Sequence, residues 1–159
     1  MTLPSLSKVK IETKLAIIRE ALEELRKIVN SVSQEQFLAD KSKFAVSEHY
    51  LRRSLEAVFE IAAHIVSRFP MSPSERPDSY KGLAKTLGRK KIVEEKFADE
   101  TLVKMAGYRN RLVHEYDEIT SQEMYEIITT KLADFEIFAK AVVRLVDKPE
   151  AFGFTAAKD

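Results

Sequence analysis

From Ile11 the apolar side chains fall at Leu15, Ile18, Leu22, Leu25, Val29 and Val32, in alternating steps of four and three. That rhythm keeps one stripe on one side of a helix and predicts a long amphipathic α-helix. Ser33 followed by Gln36 reads as a capping box, because the serine oxygen and the glutamine amide each satisfy a free backbone donor. It opens a short second helix through Leu38 that ends near Asp40 to Lys43. A further stripe at Leu51, Leu55, Val58, Ala62, Ile65 and Phe69 repeats the rhythm until Pro70, Pro73 and Pro77 forbid its continuation. Between Asp78 and Lys96 a shorter helical stretch is expected to be broken by Gly82 and Gly88. The next helix is expected from roughly Glu94 to His114. Thr120 with Glu123 reads as another capping box, opening one last long helix with a stripe at Met124, Ile128, Phe135, Phe138, Val142 and Leu145.

No segment shows the period-two alternation or the Asn-Gly and Asp-Gly turns of a hairpin, so no sheet is expected. The expected fold is all-α, an up-down bundle of about four main helices. With 159 residues, 45% apolar side chains and four glycines, the chain suits a single domain with one core. That domain is expected over residues 1–148, with a frayed C-terminal tail over 149–159 after Pro149. Core packing accounts for every stripe. The first is also regular enough for a dimer seam, although three heptads do not demand one.

Charge and cysteine content narrow the function. The 26 basic and 25 acidic side chains nearly cancel, so any nucleic-acid contact must come from local patches. Absence of cysteine removes thiolate nucleophiles and cysteine-based zinc sites, and it fits a reducing interior. No run approaches the about 18 apolar residues of a membrane span, and the N-terminus lacks the apolar core of a signal peptide. The expected address is the cytoplasm, with no membrane partner.

Three histidines exist, His49, His64 and His114, without the spacing of a zinc-protease helix, so neither metal nor cofactor is expected. Glu60 and His64, four apart, suit a helix-surface hydrogen bond better than an acid–base pair. No phosphate loop or nucleophile elbow stands out. What remains is the end of the helix before residue 115. Arg109 and His114 are the two side-chain types that metal-free RNA cleavage needs: a fixed cation for charge building on phosphorus, and a group that exchanges a proton near neutral pH. The spacing alone suits a solvated arginine and a helix C-terminal histidine, favoured by the macrodipole, better than a catalytic pair.

The run Met105-Ala106-Gly107-Tyr108-Arg109-Asn110-Arg111-Leu112-Val113-His114-Glu115-Tyr116 closely resembles the signature of HepT toxins in the HEPN superfamily. Ala21-Leu22-Glu23-Glu24-Leu25, Phe37-Leu38-Ala39-Asp40, the segment Glu56 to Ile65 and Pro77-Asp78-Ser79-Tyr80 resemble the earlier blocks of that family in the same order. The resemblance implies a HEPN endoribonuclease, the toxin of a toxin–antitoxin pair whose partner is a minimal nucleotidyltransferase antitoxin of the MntA type. It implies Arg109 and His114 as the catalytic pair, Asn110 as a supporting polar residue, and Tyr116 as the side chain to which the antitoxin attaches AMP. The alternative is a catalytically silent HEPN subunit that binds nucleotide or substrate for a partner nucleotidyltransferase.

Helix geometry adds a constraint. At about 100° per residue, positions five apart project roughly 140° from each other, so Arg109 and His114 cannot meet on one phosphate while both are mid-helix. Either the helix ends or distorts just before His114, or two copies of the motif build a composite cleft across a two-fold axis. The resemblance favours a symmetric homodimer. Asn110 and His114, four apart, are placed to hydrogen-bond. Lys81, Lys85 and Arg89-Lys90-Lys91 before the motif, with Arg109 and Arg111 on it, outline a track for RNA phosphates.

Overall fold

The computed structural model describes residues 3–114 and 118–156. Helix α1 (Lys8–Ser31) carries the first stripe, with Ile11, Leu15, Ile18, Leu22 and Leu25 buried along it. Its start is held twice: Ser7 Oγ accepts from the Lys10 N–H, and the Ser7 N–H donates to His64 Nε2 at 3.0 Å. Helix α2 (Gln34–Ala39) opens on the Ser33–Gln36 capping box, with both of its reciprocal bonds formed. Asp40 then closes α2 and caps the next helix, accepting from the Ser42 and Lys43 N–H groups at 2.9 and 3.2 Å. One aspartate thus replaces the expected linker, and α3 (Lys41–Arg68) begins well before the Leu51 stripe.

Helix α3 is the central column. It packs against α1, α2, α4 (Tyr80–Arg89), α6 (Val103–Val113) and α7 (Ser121–Thr130). Leu51, Leu55, Val58, Phe59, Ala62 and Ile65 are all buried on it.

Gly82 and Gly88 lie inside α4 instead of breaking it. A Cβ at Gly88 would stand 2.6 Å from Ala98 Cβ, and one at Gly82 2.9 Å from Pro77 Cβ. The glycines therefore serve close approach between segments, not chain reversal. After α4 a helical run leads through α5 (Glu95–Phe97) and a π turn over Ala98–Leu102 into α6.

The expected last helix is two: α7, then α8 (Leu132–Asp147). Thr129 and Thr130 turn their hydroxyls back onto the Tyr125 and Glu126 carbonyls at 2.7 and 2.6 Å, and Lys131 departs from helical backbone at φ −113°, ψ −1°. Such back-bonding competes with helix continuation.

The tail is not frayed over 149–156. Pro149–Phe152 form a 3-10 turn, Gly153 takes φ +84°, and Phe154 is fully buried with its ring centroid 4.7 Å from that of Phe69. Strand β2 (Thr155–Ala156) pairs in parallel with β1 (Ser5–Leu6), a two-residue exception to the expected absence of sheet. The molecule is otherwise an all-α bundle. Among the described residues no helix is long and apolar enough to cross a membrane.

Candidate active site

Helix α6 ends at Val113, and His114 caps it in extended conformation at φ −97°, ψ 120°. The His114 N–H still donates to the Asn110 carbonyl at 3.0 Å, so the last helical bond forms and the chain then turns away. Of the two ways to escape the helical-wheel constraint, the ending of the helix is realised within this chain. His114 itself is exposed, and the chain leaves the helical course after it. The bond joining Asn110 and His114 is this backbone one.

Arg109 and Asn110, both half-buried, lie in the turns before that cap. The Arg109 guanidinium carbon sits 4.2 Å from the centre of the Tyr80 ring. Among the described residues no hydrogen bond or ion pair engages that guanidinium. Tyr80 is the first residue of α4, and its ring meets Phe59 of α3 edge-on at 5.5 Å and 66°. A groove of about 460 Å³ adjoins the ring, lined by Ala63, Val66, Arg76, Asp78 and Leu83.

Arg111, two residues on, has a different employment. Its Nη1 and Nη2 each donate to a Glu123 oxygen at 2.7 Å, and Nη2 also reaches the Glu118 carbonyl at 3.3 Å. Arg111 is therefore a strut between α6 and the start of α7, not a member of the expected phosphate track. The Thr120–Glu123 capping box is half formed: Thr120 Oγ1 accepts from the Glu123 N–H at 3.1 Å, while the Glu123 carboxylate goes to Arg111.

The basic stretch divides likewise. Lys81, Lys85 and Arg89, spaced by four, lie exposed on α4. Lys90 stands over the Phe69 ring at 5.3 Å, and Lys91 takes left-handed backbone at φ 59° as α4 closes. Away from the motif, Glu60 pairs with Lys14, while His64 accepts from Ser7. The expected Glu60–His64 contact gives way to two separate structural bonds. His49 stacks edge-on with Tyr50 at 4.9 Å. Among the described residues no group of three or more histidines and carboxylates is gathered to hold a metal ion. Tyr116, the expected site of AMP addition, lies outside the described residues.

Two residues of the site escape a reading along the chain. Tyr80 stood out only as part of a resembling block, and Glu123 only as a capping residue. Nothing local marks either as the partner of an arginine on α6.

The fold places the protein in the HEPN class of helical RNA endonucleases. Residues 18–142 match the ribonuclease HepT-like family, and the chain belongs to that family. It is 27% identical over 132 residues to the tRNA nuclease HepT of Aphanizomenon flos-aquae, covering 83% of this chain and 86% of that one. It is 27% identical over 136 residues to the mRNA nuclease HepT of Shewanella oneidensis, covering 83% and 95%. Among solved structures, the tri-AMPylated Shewanella oneidensis HEPN toxin in complex with its MNT antitoxin superposes with a TM-score of 0.73 at 26% identity, covering 85% of this chain and 97% of that one.

Proposed function

We propose that this chain is the ribonuclease toxin of a toxin–antitoxin pair, acting in the cytoplasm, with Arg109 and His114 as its catalytic pair. The observation that carries the reading is the ending of α6 at Val113, with His114 exposed in extended conformation as its cap, while among the described residues no hydrogen bond or ion pair engages the Arg109 guanidinium.

In the reaction the RNA 2′-hydroxyl attacks the adjacent phosphorus. A bond forms between the 2′-oxygen and phosphorus, and the bond to the 5′-oxygen breaks, leaving a cyclic phosphate and a free 5′-hydroxyl. His114 serves as general base for the 2′-hydroxyl proton or as general acid to the leaving oxygen, since an imidazole can play either part near neutral pH. Arg109 neutralises charge on the phosphoryl oxygens with its planar fork of donors. The metal-independent route follows from these residue types. Asn110, one helical turn before His114, is the supporting polar residue of the site. A symmetric homodimer brings two motifs to one composite cleft, which lets the imidazole and guanidinium of different protomers share a phosphate.

The partner is an MntA-type nucleotidyltransferase antitoxin, by analogy with the complex of the Shewanella toxin. AMP on Tyr116 adds bulk and negative charge two residues from His114, where the RNA backbone must lie.

The test is RNA cleavage with end-group analysis in EDTA, on wild type, Arg109→Ala and His114→Ala. Cyclic phosphate and 5′-hydroxyl ends are expected from wild type, and a loss of about 10²-fold or more from each variant. Chelator-sensitive cleavage contradicts the metal-free route, and full activity of both variants removes the site. Full nuclease activity after stoichiometric adenylylation of Tyr116 refutes the proposed silencing.

A further inference from the structure

We infer that Tyr80 is a positioning residue for Arg109: its ring holds the guanidinium in place and leaves N–H donors open to an RNA phosphate. This rests on the reading of Arg109 as the cation of the reaction.

The contrast between two neighbouring arginines motivates the inference. Arg111 is held by a carboxylate, which occupies its donors and offsets its charge. Arg109 is held by an aromatic face, 4.2 Å from guanidinium carbon to ring centre. A ring attracts a cation through its quadrupole without taking up its N–H groups as a carboxylate does, so donors and the full positive charge stay available. A long arginine side chain otherwise loses rotamer entropy on meeting substrate. The ring fixes the guanidinium beforehand without competing for the phosphate.

The platform is itself rigid. Ser79 caps α4, its Oγ accepting from the Gly82 N–H at 3.0 Å, and Gly82 packs so closely on Pro77 that no side chain fits between them. Phe59, buried in α3, packs against the Tyr80 ring at 5.5 Å in a T-shaped contact. The Tyr80 hydroxyl makes no hydrogen bond among the described residues, so the ring, not the phenol, carries the contact.

The experiment is a double-mutant cycle on full-length protein with an end-labelled single-stranded RNA, reading kcat and KM separately and melting each variant. Tyr80→Phe is expected to stay within about twofold of wild type, because it keeps the ring. Tyr80→Leu is expected to lower kcat by about 10- to 100-fold with KM nearly unchanged, the signature of a misplaced transition-state contact. Arg109→Ala lowers kcat by about 10²- to 10³-fold, and adding Tyr80→Leu to it costs nothing further.

If Tyr80→Leu loses as much in the Arg109→Ala background as alone, the ring acts independently, as a base-stacking face or a fold element, and the inference fails. Loss in Tyr80→Phe equal to that in Tyr80→Leu transfers the role to the hydroxyl and overturns it too. An unaffected Tyr80→Leu beside an inactive Arg109→Ala overturns this inference alone, whereas a fully active Arg109→Ala overturns the underlying reading. Should Tyr80→Leu not fold, the Arg109 δ-proton resonances of wild type decide: an upfield ring-current shift supports the stacking, and its absence refutes it.

Discussion

Arg111 grips the Glu123 carboxylate through both terminal nitrogens, each at 2.7 Å, and so ties the end of α6 to the first turn of α7. Both side chains are less than a third exposed, which makes this a stronger link than an open surface pair. Arg111→Ala is expected to cost about 1–2 kcal/mol, read as a Tm lowered by several degrees. Arg109→Ala, whose guanidinium meets no carboxylate among the described residues and loses only its contact with the Tyr80 ring, is expected to lower the Tm by less than Arg111→Ala while cleavage is lost. Melting curves and RNA cleavage on the two variants separate the roles, and equal destabilisation by both contradicts the division.

Two glycines in helices should respond oppositely to alanine. A Cβ at Gly88 meets Ala98 Cβ at 2.6 Å, whereas one at Gly107 meets nothing within 4 Å. Gly88→Ala is expected to destabilise by about 1–3 kcal/mol despite its better helix propensity, with partial recovery on adding Ala98→Gly. Gly107→Ala should stabilise the fold by about 0.5–1 kcal/mol. Urea titration of both variants checks the signs.

Phe154 anchors the segment after α8. It is fully buried against Phe69, and the strand that follows pairs with β1 beside the start of α1. Phe154→Ala is expected to cost about 3–5 kcal/mol. Removing residues 149–159 should be at least as damaging. A deletion that melts like wild type would restore the frayed-tail expectation.

Burial raises the Asp134 carboxyl above the ordinary carboxylate range, with Lys131 pulling the other way. Above that ordinary value the folded protein therefore binds this proton more tightly than the unfolded chain does. The contribution of Asp134 to stability is complete below its unfolded pKa and is lost as pH rises through the raised folded one. Asp134→Asn removes that slope, so its stability relative to wild type should climb between the acid range and neutrality. Denaturant unfolding at several pH values measures it, and a difference independent of pH refutes the assignment.

The sequence by itself determined what nearest neighbours along a helix decide. The four-three stripes placed α1 and the body of α3, Ser33 with Gln36 marked the start of α2, and the prolines after Phe69 stopped α3. The helical wheel also called for an end or distortion just before His114, and α6 does end at Val113. These features depend on groups within four residues of each other, so periodicity and caps report them directly. Only the tertiary structure decided which of two neighbouring arginines pairs with a carboxylate and which lies over a ring, because Glu123 and Tyr80 reach them from other helices. It also decided that Gly82 and Gly88 are contacts, that His64 caps α1, and that Phe154 belongs to the core. Each of those outcomes depends on which distant segment the packing brings opposite a side chain, and no local pattern along the chain encodes that pairing.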